Sequence, residues 1–242
     1  MIAIDVGNTD IVLGSYLGNE LVRKERKATV KGVENFSDWL NSFVDNQQIV
    51  KIGLSCVVPR YLSRIVEGCT AIAETVIIKA ELFPDLVIKA DDRNELGADF
   101  IGSYFGAISE YRGPITVFDL GSASKIMVIN ERAEIEGVMI KPGLVMSLDA
   151  MLKNIPHLPP IEIAKPQDII GHNSVQAIRS GIFYGELASI EYTGTLLDRR
   201  YDFASTKIIT GGYSAYFRDF LPNHCYEPDL LLKGINKIID NY

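Results

Sequence analysis

The chain has 242 residues, 47% hydrophobic, 23% charged and 9% aromatic, enough apolar material for one large core or two small ones. Its formal net charge of −7 argues against a nucleic-acid partner, whose phosphates attract clustered Lys and Arg, and no apolar run approaches the ~18 residues of a membrane span. Cys56, Cys69 and Cys225 are dispersed, and the strand-like opening "MIAIDVG" lacks the basic start of a signal peptide, so a reducing, cytoplasmic setting is expected.

Residues 2–6 and 11–17 are short, β-branched and bounded by turn residues, which predicts strands. Gly18-Asn19 turns the chain into a third strand, "ELVRKERKA". Val33, Phe36, Leu40 and Phe43 recur at helical spacing and predict one helix over 33–44. "IVKIGLSCVVP" reads as a buried strand stopped by Pro59, with a helix at 60–68 and strands at 75–80 and 85–90. A helix is expected from about Gly97 to Glu110, before Gly113-Pro114 breaks the chain. The pattern then restarts with strands 115–121, 124–130 and 134–140. A helix at 144–155, an extended proline-rich segment at 156–167, a long helix at 174–200, a strand at 206–210 and a closing helix at 228–239 complete it.

Two stretches share one design. "AIDVGNTDIVLGSY" and "VFDLGSASKIMVIN" each carry an apolar run, then Asp, one apolar residue, Gly and small polar residues, then a second apolar run. Such a turn serves phosphate chemistry: Gly permits a tight bend with outward backbone N–H groups, and the Asp can hold a cation beside the phosphate. Its repetition predicts a duplicated α/β domain, 1–113 and 114–242. A single Asp-x-Gly is most often an ordinary turn, and the pair carries the argument. The P-loop pattern Gly-x-x-x-x-Gly-Lys-Ser/Thr is absent. "LGADF" puts Asp99 at a helix start, where a carboxylate is also favoured by the helix dipole alone. His157, His172 and His224 are scattered and suggest neither triad nor zinc site.

In order and spacing, these stretches resemble the type III pantothenate kinases across nearly the whole chain. "IDVGNTDIVLGSY" is similar to the family's opening phosphate motif and "SCVVPR" to its Ser-x-Val-Val-Pro. "LGADF" is similar to its Gly-Ala-Asp-Arg, "VFDLGSASK" to its Asp-x-Gly-Thr-Ala-Thr-Thr, and "GVMIKPG" to its Gly-Gly-x-Ile-x-Pro-Gly. Residues 158–185, "TGG" and "EPDLLLKGI" resemble its later motifs. The resemblance implies the actin-like ATPase fold: two ribonuclease-H-like domains, the first with the catalytic Asp, the second with the cation turn and dimerisation helices, around a nucleotide cleft. It further implies phosphorylation of pantothenate by ATP, with a divalent ion such as Mg2+ and a monovalent K+ or NH4+, in a homodimer.

Carried over by position, the resemblance implies that Asp5, Val6, Gly7, Asn8, Thr9, Asp10, Ile11, Val12 and Ser122 bind ATP. Asp5 and Asp119 would hold metal ions. Gly97, Ala98, Asp99, Phe100 and Ser174 would meet pantothenate, with Asp99 as general base, because an alcohol is too weak an acid to ionise unaided. Three positions depart from the pattern. Phe100 stands where the family has an Arg for the pantothenate carboxylate, Lys125 where it has a Thr, and Val138 where it has the second Gly. Lys125 either extends from its strand into solvent or supplies a built-in replacement for the monovalent cation beside Asp119. The alternative function is a weakly active or inactive paralogue, serving as a regulatory or structural subunit of a heterodimer with a complete homologue.

Overall fold

The computed structural model describes residues 1–45, 47–155 and 157–241. Pro156, the first residue of the expected extended segment, lies outside them. The chain divides into two compact units, one formed by Met1–Tyr111 with the closing segment from Asp229, the other by Arg112–Pro228.

The first unit is built on strands β1 (Ile2–Val6), β2 (Asp10–Leu17), β3 (Glu20–Ala28), β4 (Lys51–Cys56) and β5 (Glu74–Ile77), in the order β3-β2-β1-β4-β5. β1, β2 and β3 pair antiparallel, whereas β4 and β5 run parallel to β1. On one face, Ile2, Ile4, Ile11, Leu13, Ile52 and Leu54 pack against helices α1 (Thr29–Glu34), α2 (Phe36–Val44) and α3 (Pro59–Thr70). The single helix expected over 33–44 is thus two. Asn35, at φ −123° and ψ 38°, leaves the helical region and divides them. The short α1 escaped the periodicity because Val33 is its one buried large apolar residue.

The strand expected at 85–90 does not join the sheet. Its neighbourhood is a loop tied by Arg93, whose guanidinium donates to the carbonyls of Phe83 at 2.7 Å, Ala80 at 3.1 Å and Pro84 at 3.3 Å. Within 85–90 only Ile88 makes a bridge, and it is an isolated one.

The opposite face of the sheet, carrying Asp5, Gly53 and Ser55, is covered by α7 (Leu230–Asn241), which crosses α4 (Ala98–Glu110). The expected second domain, 114–242, therefore differs from the second unit: the closing helix returns to the first. It does so because it fits there. A Cβ on Gly53 would lie 2.5 Å from Ile235 Cγ2, so that Gly leaves room for α7 against the strand. Lys24 holds Asp229 at 2.7 Å, and Asn236 Nδ2 donates to the Gly18 carbonyl at 2.9 Å. Where the two helices cross, a Cβ on Gly234 would overlap the Gly102 carbonyl oxygen, and one on Gly106 would overlap that of Leu230. Backbone meets backbone there, so nothing flexible can yield. Gly234→Ala is expected to cost about 3 kcal/mol and to lower Tm by about 6–12 °C. An unchanged Tm in thermal unfolding would refute the close crossing.

The second unit repeats the plan. β6 (Ile115–Leu120), β7 (Ala123–Ile129), β8 (Ile135–Pro142), β9 (Thr206–Thr210) and β10 (Cys225–Tyr226) are ordered β10-β9-β6-β7-β8, with β6–β8 antiparallel and β9 and β10 parallel to β6. Read from β8, this is the order of the first unit. Helices α5 (Leu144–Asn154) and α6 (Ser174–Tyr201) help bury a core of Phe118, Leu120, Ile126, Phe183, Ile190 and Ile209. No helix among the described residues is long and apolar enough to cross a membrane.

Candidate active site

In the first unit the acidic turn joins β1 to β2. Register places Asp5 opposite Val12 on β2 and Ser55 on β4, and the Ser55 hydroxyl donates to Asp5 Oδ1 at 3.0 Å. The bend is closed by Gly7 N donating to the Asp10 carbonyl at 2.9 Å. A Cβ on Gly7 would lie 3.2 Å from that carbonyl oxygen, so a larger residue would crowd the turn. From behind, Thr29 N donates to the Thr9 carbonyl at 2.8 Å and its hydroxyl to the Gly7 carbonyl at 2.7 Å. Asn8 and Thr9 are exposed. Ile11 is buried in the core, so its part in any ATP site runs through the backbone. Burial and the nearby Asp5 charge push the Cys56 thiol up, which keeps it protonated and unreactive.

Asp99 lies in the same unit, in the first turn of α4. Its Oδ1 accepts from Phe100 N at 2.9 Å. A Cβ on Gly97 would fall 2.5 Å from that oxygen and 3.7 Å from Val57 Cγ1. Val57 N in turn donates to the Val6 carbonyl at 3.1 Å, continuing the β1–β4 ladder past Ser55. The fold thus gathers the 5–12 turn and Gly97, Ala98, Asp99 and Phe100 at one end of one sheet. Ala98 and Phe100 are buried, at 9% and 8% exposure.

In the second unit, Asp119 on β6 is opposite Lys125 on β7 and Thr210 on β9. Lys125 does not extend into solvent. Its Nζ is 2.7 Å from Asp119 Oδ2, and both side chains are about four-fifths buried, at 19% and 18% exposure. Gly211, at φ +90°, crowds the same carboxylate, and a Cβ there would overlap Asp119 Oδ1. Gly143 N donates to the Ser122 carbonyl at 3.1 Å, so the end of β8 passes directly over the second turn. Ser124 points away from Asp119 and donates to the buried Glu186 at 2.7 Å, which Lys141 also engages. Val138 lies on exposed strand edge at 39% exposure, so its bulk is accommodated. Ser174 opens α6, twelve residues before Glu186, or about 18 Å along the axis. Its side chain is exposed.

Ser55 and Thr29, which brace the first turn, went unassigned in the sequence. Their signal is register and a backbone bond, neither of which is a spacing. Among the described residues no group of three or more His, Cys, Asp or Glu could hold a metal.

A likeness to solved structures accompanies this geometry. A conserved Baf family protein of Campylobacter jejuni aligns over 100% of this chain and 98% of its own, at TM-score 0.63 and 19% identity. A polyphosphate/ATP-glucomannokinase of Arthrobacter aligns over 100% and 98%, at TM-score 0.52 and 15% identity. The fold is the duplicated, ribonuclease-H-like one of actin-like ATPases and sugar kinases. Sequence relatives go further. A type III pantothenate kinase of Brevibacillus brevis is 31% identical over 250 residues, covering 99% of this chain and 98% of the relative. Another, from Halalkalibacterium halodurans, is 34% identical over 221 residues, covering 88% and 87%. The family model for type III pantothenate kinase matches residues 1–195. With two acidic turns on duplicated sheets and a carboxylate heading α4, the chain belongs to the type III pantothenate kinase family.

Proposed function

We propose that this chain transfers the terminal phosphoryl group of ATP to the terminal hydroxyl of pantothenate, giving 4'-phosphopantothenate in the first step of coenzyme A biosynthesis in the cytoplasm. The observation that carries the reading is Asp99 at the head of α4, at the same sheet end as the Asp5 turn. Asp99 accepts the hydroxyl proton as the new P–O bond forms and the bond from the terminal phosphorus to the β–γ bridging oxygen of ATP breaks. Asn8 and Thr9 offer backbone N–H groups and small side chains to the phosphates, while Gly7, its own N–H bonded to the Asp10 carbonyl, closes the turn that presents them. In the second unit the turn from Asp119 to Ser122 is likewise of the phosphate-binding type.

Asp5 fits a divalent ion that arrives with the nucleotide. It is a hard oxygen donor at a phosphate turn, and Mg2+ commonly takes one or two carboxylates and completes its shell with phosphates and water. Bound there, the ion would offset charge on the phosphates. A monovalent ion fits less well, because the Lys125 ammonium already lies against Asp119. We read Lys125 as that cation in covalent form.

Phe100 supplies no charge to the pantothenate carboxylate, and a charge-assisted contact of that kind is worth about 1.5–3 kcal/mol. Phe100→Arg is therefore expected to lower KM for pantothenate about 10- to 100-fold. The consecutive exposed residues Val138, Met139 and Ile140 on β8, with Tyr192 and Leu196 on α6, support a homodimer joined through the second unit. The test is ATP-dependent phosphorylation of pantothenate by the purified chain, with its mass in solution measured on the same sample. Turnover by a dimer is the expected result. Absence of both turnover and nucleotide binding would overturn the reading.

A further inference from the structure

We propose that Arg26 is a further phosphate-binding residue of the first turn; this inference rests on the kinase reading above. β3 carries four basic side chains, Arg23, Lys24, Arg26 and Lys27. Three are committed elsewhere. Arg23 donates to the Phe43 carbonyl at 2.9 Å and to Glu25 at 2.6 Å, Lys24 holds Asp229 at 2.7 Å, and the Lys27 ammonium lies 4.4 Å from the Trp39 ring centroid. Arg26 differs. Its contact is Asp10 at 3.7 Å, an ion pair too long for a hydrogen bond, and its side chain is 51% exposed.

Register decides where that guanidinium stands. Arg26 is opposite Val12, Val12 is opposite Asp5, and Asp5 is opposite Ser55. Paired residues project to the same face of a sheet, so Arg26, Val12, Asp5 and Ser55 form one row across four strands. Asp10 is two positions from Val12 and shares that face, at the turn itself. The two strand steps from Asp5 to Arg26 span about 10 Å, within the combined reach of a long guanidinium side chain and a polyphosphate. A planar guanidinium engages phosphate through two parallel N–H···O bonds, which gives it reason to leave a loose carboxylate partner.

Arg26 is then held over the turn by Asp10 in the unliganded chain and moves to the β- and γ-phosphates when a nucleoside triphosphate enters. Adenosine and AMP, lacking those phosphates, do not engage it. The test compares binding of Mg·ATP and AMP to the full-length wild type, Arg26→Gln and Arg26→Lys, alongside steady-state kinetics. Arg26→Gln is expected to weaken Mg·ATP about 10- to 100-fold, to leave AMP within about twofold, and to keep the wild-type Tm. Arg26→Lys is expected to recover part of the loss, as a point charge without the fork. Wild-type binding of Mg·ATP with Arg26→Gln unchanged would overturn this assignment alone. Equal weakening of ATP and AMP, or loss tracking a fall in Tm, would reduce Arg26 to a structural residue. A wild type that binds no nucleotide would overturn both this assignment and the kinase reading.

Discussion

Asp99→Asn is expected to lower kcat for pantothenate phosphorylation about 10²- to 10⁴-fold, the usual worth of a positioned general base. The substitution is informative because Asn retains an oxygen that can accept from Phe100 N, the bond seen at 2.9 Å. The first turn of α4 is therefore preserved and Tm should hold. What is lost is the ability to take a proton. The KM values for ATP and pantothenate should move little, since neutral Asn still fills the same volume beside Gly97. A kcat within about threefold of wild type, in a folded variant, would remove Asp99 from the chemistry and leave it a helix-terminal acid.

Lys125→Thr is expected to make the enzyme depend on added potassium or ammonium. The wild type should work equally well in potassium and choline salts at matched ionic strength, because the Lys125 ammonium already sits 2.7 Å from Asp119. Removing it leaves a carboxylate that is about four-fifths buried with its nearest cation gone. Breaking one partner of a buried pair of this kind typically costs about 3–5 kcal/mol. A small cation from solution can answer that charge, so activity in choline should fall at least about tenfold and recover with potassium. Strong stimulation of the wild type by potassium would overturn the reading. So would a variant indifferent to both salts.

The parts of the site that were legible before any coordinates are those whose signal is local. The Asp5 and Asp119 turns each announce themselves within about ten residues, because an apolar run, an acid and a glycine report strand, turn and strand together. Asp99 was legible as a residue, through its motif, while the place of its neighbour Gly97 beside Val57 depends on how α4 seats against β4. Lys125 was visible as an added charge, but spacing could not say whether it faced solvent or Asp119. The β6–β7 register decides that. Arg26 was one of four basic residues on a polar strand, and nothing in its neighbours separates it from Lys27. Only pairing with β2 puts it on the Asp5 face.

By itself, then, the sequence determined the duplication, the two phosphate-type turns and most strands, since short-range propensity and period suffice for them. Tertiary structure decided which side chains meet. It divided the helix at Asn35, left residues 85–90 outside the five-stranded sheet, and returned the last helix to the first unit. That return has a steric cause. An apolar helical face fits many sheets equally, and the glycines at 53, 102, 106 and 234 make this one close enough to hold it.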